Sequence, residues 1–473
     1  MIKKNEEYII TIEDMGSEGE GIGKIDGFTL FVKDALPLDV AKVKVIKEGK
    51  TYGYGRLMEV VTPSPDRVLA KCPVAKQCGG CQIQELSYKA QLAFKQNKVK
   101  NNLERIGKIE PSSYEMCSII GMDEPYNYRN KAQFPVGLDK EGNIVTGFYA
   151  GRTHSIIPCD DCAIGDDINS SILQIIKSHL KQYNIKPYNE EKHIGVVRHI
   201  LIRKGFTTGE IMVCIIINGT ELKASDKLVD KLKEIEGMKS ISLNVNKEKT
   251  NVIMGKKVID LYGEGYITDY IGDVKFRISP LSFFQVNPVQ TKQLYGKALE
   301  FAGLTGNETV WDLYCGVGTI SLFLAKSAHK VYGVEIVPEA IEDAKKNASL
   351  NNIENAEFFV GKAEEVVPRM YKEHGITADV VVVDPPRKGC DEKLLATMIE
   401  MNPERIVYVS CDSATLARDL KYLRENGYEV KKVQAVDMFP HTAHVETVCL
   451  LVNRNAKPDT RVKLSVDTEN CRE

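Results

Sequence analysis

The spacing of hydrophobic positions changes period along this chain. Between residues 8 and 61 they form short alternating runs, at Tyr8–Ile12, Phe28–Val32, Val40–Ile46 and Gly53–Val61. Glycine-rich turns such as Gly16-Ser-Glu-Gly-Glu-Gly-Ile-Gly23 separate them. Short, evenly spaced strands predict a small β-barrel, and Pro63-Ser-Pro65 closes it with a break. A helical period follows over Tyr88–Ile106. From about Tyr126 to Tyr270 the pattern is mixed. Gly147-Phe-Tyr149, His199–Arg203, Ile211–Ile217 and Ser240–Val245 predict strands of one sheet, and Ile168–His179 and Lys223–Ile235 predict helices packed on it.

From about Thr291 helix and strand alternate. Helix Gln293–Ala302 leads to strand Val310–Leu313, helix Ile320–Ala328, strand Val331–Glu335 and helix Glu339–Asn351. Strands Ala356–Val360 and Val380–Asp384, helix Glu392–Met401, strand Arg405–Ser410 and helix Thr415–Asn426 follow. Closing strands lie near Val430–Asp437 and Val445–Val452. This alternation predicts a doubly wound, Rossmann-like sheet. The α/β chain is therefore expected to divide into a barrel at 1–65, a central α+β domain at 66–285, a Rossmann-like domain at 286–455 and a tail at 456–473.

Composition narrows the class. Of 473 residues 43% are hydrophobic and 27% charged, ordinary for a globular protein. No apolar run reaches the roughly 18 residues needed to span a bilayer, and Met1-Ile-Lys-Lys-Asn-Glu-Glu7 opens no signal peptide. A cytoplasmic protein without membrane association is expected. Twelve cysteines in such a chain favour metal binding or catalysis over disulfides. The net charge of −2 conceals a basic stretch: Lys71 to Lys108 holds eight Lys/Arg against Glu85 and Glu104. That fits a phosphate footprint, and a solvated helix face fits it as well.

Chemistry enters at strand ends. Asp312-Leu-Tyr-Cys-Gly-Val-Gly-Thr319 follows the first strand of the alternating region, and Glu335 ends the next. The glycines permit close backbone approach to a ligand, and the acid is placed to meet ribose hydroxyls. A dinucleotide fingerprint needs a third glycine where Ser321 stands, so S-adenosylmethionine is preferred to NAD. Asp384-Pro-Pro-Arg-Lys-Gly389 follows the fourth strand, with prolines stiffening the loop. Methyltransferases acting on exocyclic nitrogens usually carry Asn-Pro-Pro-aromatic there. Cys411 ends another strand, in Val-Ser-Cys-Asp-Ser. A methyl group reaches an unactivated ring carbon only after that carbon is made nucleophilic, which covalent addition of a thiolate to the neighbouring atom achieves.

Taken with Ser282-Phe-Phe-Gln-Val-Asn-Pro288, Ser410-Cys-Asp-Ser413 and His444-Val-Glu-Thr447, these motifs closely resemble the RNA uracil-C5 methyltransferase family. The segment Glu6–Val61 resembles the TRAM domain, an oligonucleotide-binding-like barrel, although residues 1–65 hold nine Lys/Arg against eleven Asp/Glu. The resemblance implies Cys411 as the nucleophile on C6 of uracil and Glu446 as the base that removes the C5 proton. It implies Gln285, Tyr314, Glu335 and Asp384 as contacts to S-adenosylmethionine.

The segment Cys72-x5-Cys78-Gly-Gly-Cys81 groups three thiols. Four thiolates suit tetrahedral zinc or a [4Fe–4S] cluster, and spacing alone leans to zinc. The resemblance implies the iron–sulfur cluster, with Cys162 as fourth ligand in preference to Cys159. Barrel and cluster together resemble the branch acting on 23S ribosomal RNA, with a monomeric enzyme expected. Gly195–Arg203 is a candidate for further RNA contacts. A transfer-RNA enzyme and a non-catalytic iron–sulfur RNA-binding protein are the rival expectations.

Overall fold

The computed structural model describes residues 3–151 and 153–456. The expected tail therefore lies, from residue 457, outside the described residues.

Strands β1 (Glu7–Met15), β2 (Gly21–Ile25), β3 (Phe28–Lys33), β4 (Val40–Glu48) and β5 (Tyr52–Thr62) close a barrel in the order β1-β2-β3-β5-β4. Alternation turns Ile10, Ile12, Leu30, Val32, Val43 and Val45 inward. A buried pair joins this barrel to the segment beyond Pro65. Asp39 is fully buried and receives the amides of Leu36 and Ser64, each at 2.8 Å. The Arg67 guanidinium lies 2.5 Å from Asp39 Oδ2, the oxygen that receives Leu36, and donates to Oδ1 at 3.2 Å. Burial opposes the charge on Asp39, but Arg67 and the two amides outweigh it and hold the carboxyl below its ordinary range.

Helix α1 (Tyr88–Arg105) and β6 (Glu115–Ile120) come next. The central sheet comprises β7 (Lys131–Leu138), β8 (Ile144–Tyr149), β9 (Ile156–Pro158), β10 (Val197–Lys204), β11 (Ile211–Ile217), β12 (Met238–Val245) and β13 (Lys257–Tyr262). Its order is β13-β12-β11-β10-β7-β8-β9. Helices α2 (Ile168–Gln182) and α3 (Ser225–Leu232) cover one face. The other packs Leu201, Met212, Cys214 and Ile216 into the core of the next domain. Buried on both faces, β10 offers no surface to RNA. Arg198 and Arg203 are each under 5% exposed, with Arg198 bonded to Glu190 and Arg203 to the Ser282 carbonyl. Sequence could not show this, because a strand's second face is covered only by tertiary packing.

A hairpin of β14 (Ile267–Ile271) and β15 (Val274–Ile278) precedes the Rossmann-like region. That region contains α4 (Pro288–Ala302), β16 (Thr309–Leu313), α5 (Thr319–Ala325), β17 (Lys330–Glu335), α6 (Pro338–Leu350) and β18 (Ala356–Val360). It continues through α7 (Ala363–His374), β19 (Val380–Val383), α8 (Glu392–Met401), β20 (Arg405–Ser410), α9 (Ser413–Glu425), β21 (Tyr428–Val436) and β22 (Glu446–Asn453). The sheet order is β18-β17-β16-β19-β20-β22-β21-β6, parallel through β20 and then antiparallel at β22. Successive residues of β19 serve opposite cores, Val380 and Val382 on one side and Val381 and Val383 on the other, as expected for a sheet covered on both faces.

Two elements assigned by sequence to residues 66–285 pack elsewhere. Strand β6 pairs with β21 as the eighth strand of the Rossmann-like sheet, and the β14–β15 hairpin shares its core. Helix α7 was hidden from pattern reading because Pro368 interrupts its helical signature.

Removing the Asp39 carboxylate leaves Arg67 with Glu85 at 2.6 Å as its remaining carboxylate partner and strips the amides of Leu36 and Ser64 of their acceptor, at a cost of about 1–3 kcal/mol. Asp39→Ala is therefore expected to loosen the barrel from the following domain. Faster proteolytic cleavage near Pro63–Arg67, with unchanged cleavage elsewhere, is the readout.

Candidate functional site

The C-terminal ends of the parallel strands form one edge, where open α/β sheets bind ligands. After β16 the chain turns at Tyr314, whose φ of 130° is unusual for a residue bearing a side chain. Such strain concentrates where a ligand-binding loop must hold one shape. The amides of Tyr314 and Cys315 both donate to the Val334 carbonyl at 3.0 Å. Gly316 and Gly318 follow with φ of 53° and 82°, and nothing would meet a side chain added at Gly316 within 4 Å. The turn therefore presents open backbone to an incoming ligand. Glu335 faces it, accepting from the amide of Gly316 at 3.3 Å and of Val337 at 3.0 Å.

Asp312 sits beneath this turn. Ser321 donates to one of its oxygens at 2.5 Å, while the other has no partner among the described residues. Burial, reinforced by Asp384 and Glu335 against the Ser321 bond, raises its carboxyl to about 7. An orphaned buried acceptor, an exposed glycine turn and a fixed acid together fit a ligand with ribose hydroxyls and a positive centre, as S-adenosylmethionine has. Gln285 is buried at the adjoining edge, and Asn130 holds its carbonyl at 2.9 Å. Asp312 was visible in the sequence as part of a motif, but its unpaired oxygen was not.

The second half of the edge holds the candidate chemistry. Asp384 follows β19, Cys411 follows β20, and Glu446 opens β22. Because Ser410 pairs with Thr447 in antiparallel register, the next residue outward on each strand, Cys411 and Glu446, are neighbours. Cys411 is half-buried and Glu446 is buried. Burial pushes the Cys411 thiol up to about 12, with Glu446 and Asp384 adding and Arg387 opposing. Burial also raises both carboxyls above the usual carboxylate range, and Asp384 further raises Glu446. The site thus joins a protonated thiol to two carboxyls made unusually basic, a combination suited to moving protons at carbon. Arg387, a member of the Asp384–Gly389 motif not singled out from sequence, is the cation that offsets these charges.

The cysteine segment builds a separate site. Cys72, Cys78, Cys81, Cys159 and Cys162 all line one cavity of about 310 Å³, together with Arg129 and Lys131. Burial, then neighbouring thiols, pushes both Cys81 and Cys159 up to about 12. Cys159 donates to the Asp161 carbonyl at 3.4 Å. Among the described residues no three such side chains close on a single ion. The cavity's donor set nonetheless fits an anionic thiolate-ligated cluster. Lys131 and Arg129 pair with no carboxylate among the described residues, and Lys131 stands opposite Arg203 in the strand register. Cations crowded without acids are stabilised by a negative occupant.

The raised carboxyls generate a stability prediction. A group whose folded pKa exceeds its unfolded value loses stabilising free energy as pH rises through that range. Glu446→Gln, which cannot ionise, is therefore expected to melt above the parent protein at alkaline pH. The gap should narrow below about pH 5, where an unfolded carboxyl also holds its proton, and calorimetry across pH measures it.

Comparison with known proteins gives these features a family. A family model described as tRNA (Uracil-5-)-methyltransferase matches residues 87–454, and one for the TRAM domain matches residues 3–58. The chain is 54% identical over 455 residues to an uncharacterized RNA methyltransferase of Halalkalibacterium halodurans, covering 96% of this chain and 98% of that one. It is 53% identical to another from Clostridium acetobutylicum, covering 95% and 98%. Among solved structures, Pyrococcus abyssi tRNA (uracil-54, C5)-methyltransferase with S-adenosyl-L-homocysteine superposes with a TM-score of 0.75 at 29% identity, covering 94% of this chain and 99% of that one. Glycine turn, fixed acid, strand-end thiol and N-terminal barrel thus converge on one assignment: the chain belongs to the S-adenosylmethionine-dependent RNA uracil-5-methyltransferase family and carries a TRAM domain.

Proposed function

We propose that this chain methylates C5 of uridine in 23S ribosomal RNA, through a temporary bond between Cys411 and C6 of the base. The carrying observation is the adjacency of Cys411 and Glu446 set by the β20–β22 register. When bound, S-adenosylmethionine would supply the methyl group, with the glycine turn and Glu335 as the residues that would hold it.

Cys411 gives its proton to Asp384, which leaves Glu446 free as a base, and adds to C6, and the C5=C6 electron pair becomes enolate density that makes C5 nucleophilic. After methyl transfer Glu446 takes the C5 proton. The C–H electrons restore the double bond, the C6–S bond breaks, and its pair returns to sulfur. One of the two protons collected is returned to Cys411 and the other leaves to water, so the cycle balances. Asp384 lies on the rigid Pro385–Pro386 loop beside this pair and helps make Glu446 basic. Phe283, 71% exposed and two residues from Gln285, offers a stacking face for a base drawn out of the RNA.

The cysteine cavity supports a [4Fe–4S] cluster held by Cys72, Cys78, Cys81 and Cys162. Thiols gathered around one cavity can share a cationic centre, which binds them as thiolates and displaces their protons. The cluster would order this segment.

Transfer RNA is the second reading, favoured by the likeness to the Pyrococcus abyssi enzyme over 94% of this chain. That coverage means the barrel does not by itself select ribosomal RNA. We place the protein in the cytoplasm, and no helix among the described residues is long and apolar enough to cross a membrane.

Incubation with tritiated-methyl cofactor and separate ribosomal and transfer RNA should place label in 5-methyluridine of 23S RNA. Label in transfer RNA alone selects the second reading, and label in N-methyladenosine overturns both. Cys411→Ala should lower turnover at least a thousandfold and abolish the covalent band formed with 5-fluorouridine RNA. Anaerobically purified protein should be brown, with four irons per chain by metal analysis. Colourless protein containing one zinc overturns the cluster.

A further inference from the structure

Glu446 begins its strand at the end of a nine-residue connection, 437–445, that has no helix or strand of its own. A carboxylate used at carbon must be placed to within a fraction of an ångström, so something outside this connection has to fix it. Helix α1 does so with side chains. Its buried residues recur every fourth position, at Gln91, Lys95, Val99 and Leu103. Val99 and Leu103 join the sheet's core, whereas Gln91 and Lys95 turn toward the connection.

Lys95 is fully buried. Its ammonium lies 2.5 Å from Asp437 Oδ1 and donates to the Phe439 carbonyl at 2.9 Å. The Tyr88 hydroxyl donates to Asp437 Oδ2 at 2.9 Å and receives the Met122 amide at 2.8 Å. One turn on, Lys98 donates to the Ala443 carbonyl at 2.9 Å. The His441 amide donates to Gln91 at 2.9 Å, and the His441 carbonyl receives the amides of Gln82 and Ile83, both at 3.1 Å. Gln82 and Ile83 directly follow Cys81. The connection is therefore held along its length by α1 and by the cysteine segment.

An isolated ion pair in a core seldom stabilises more than apolar side chains of equal volume. Its advantage is specificity, since a lysine ammonium and a carboxylate accept one register where apolar groups accept several.

We propose that Lys95 and Asp437 are positioning residues for the reaction proposed above: they set the 437–445 connection so that Glu446 meets the C5 proton of the covalent adduct, and the cysteine segment braces the same connection. The proposal rests on the adduct mechanism above. It places the effect in a single step, release of the methylated base. Addition of Cys411 depends on β20, which α1 does not hold through this pair.

The test separates the two steps in single turnovers with RNA and S-adenosylmethionine, following the Cys411–RNA band as it forms and decays. The double variant Lys95→Met with Asp437→Leu exchanges the ion pair for an apolar contact and keeps the core filled. It should form the band at a rate within about twofold of the parent. It should release the band about tenfold to a hundredfold more slowly, the scale of a misplaced catalytic group. Tyr88→Phe removes the hydroxyl's two hydrogen bonds, to Asp437 and from the Met122 amide, with almost no change in volume, and should slow release about twofold to tenfold. Unchanged release in both variants overturns the proposal, as does an equal fall in formation and release. A parent protein that forms no band removes the mechanism itself, and the proposal with it. That outcome is told apart because it appears without any substitution.

Discussion

Where β22 pairs with β20, the C-terminal end of a parallel strand comes to lie alongside the N-terminal end of an antiparallel one. Ser410 opposite Thr447 is the outermost rung, and one step beyond it stand Cys411 and Glu446. Because side chains alternate with a period of two, a slip of one residue would turn one of them to the other face of the sheet. The register is protected by burial: Val448 and Leu451 of β22 belong to cores on opposite sides of the sheet. The chemistry of the site is thus fixed by the same contacts that fold the domain.

That placement carries an energetic cost. Burial drives Cys411, Glu446 and Asp384 toward their neutral forms; Asp384 adds to the effect on Glu446, and both carboxyls add to it on Cys411. A polar cluster of this kind weakens the fold locally, and the surrounding structure compensates. The pair Lys95–Asp437, the bonds from Gln82 and Ile83 to His441, and Asn287 donating to the Met438 carbonyl at 2.9 Å hold the approach to Glu446 from three directions. Separate domains therefore meet at one short connection. The central sheet contributes as well, through Asn130 and Arg203 on the 282–285 segment.

Much of this was legible in advance. The barrel strands, the β/α alternation and the strand-end positions of Asp312, Glu335, Asp384 and Cys411 followed from period and punctuation. These signals depend only on near neighbours, so a linear pattern preserves them. Legibility failed where distant segments meet. The basic run from Lys71 to Lys108 reads equally as a phosphate footprint or a wet helix face, yet Lys95 within it is wholly buried against a residue more than three hundred positions away. Arg198 and Arg203 suggested an RNA surface, and the second face of β10 proved to be covered. The helix at Ala363–His374 escaped notice because a proline lies inside it.

The sequence by itself determined the types of element and the order of the motifs, since each depends on local spacing, and its resemblance to a family offered candidates for nucleophile, base and thiolate ligand. Only the tertiary structure decided which of them touch. It joined β6 and the β14–β15 hairpin to the Rossmann-like core, gathered five cysteines around one cavity, and set Lys95 beneath the connection that carries Glu446. The reason is physical: burial, register and the pairing of charge with charge are properties of chain segments brought together from afar, and no local pattern encodes the distance between them.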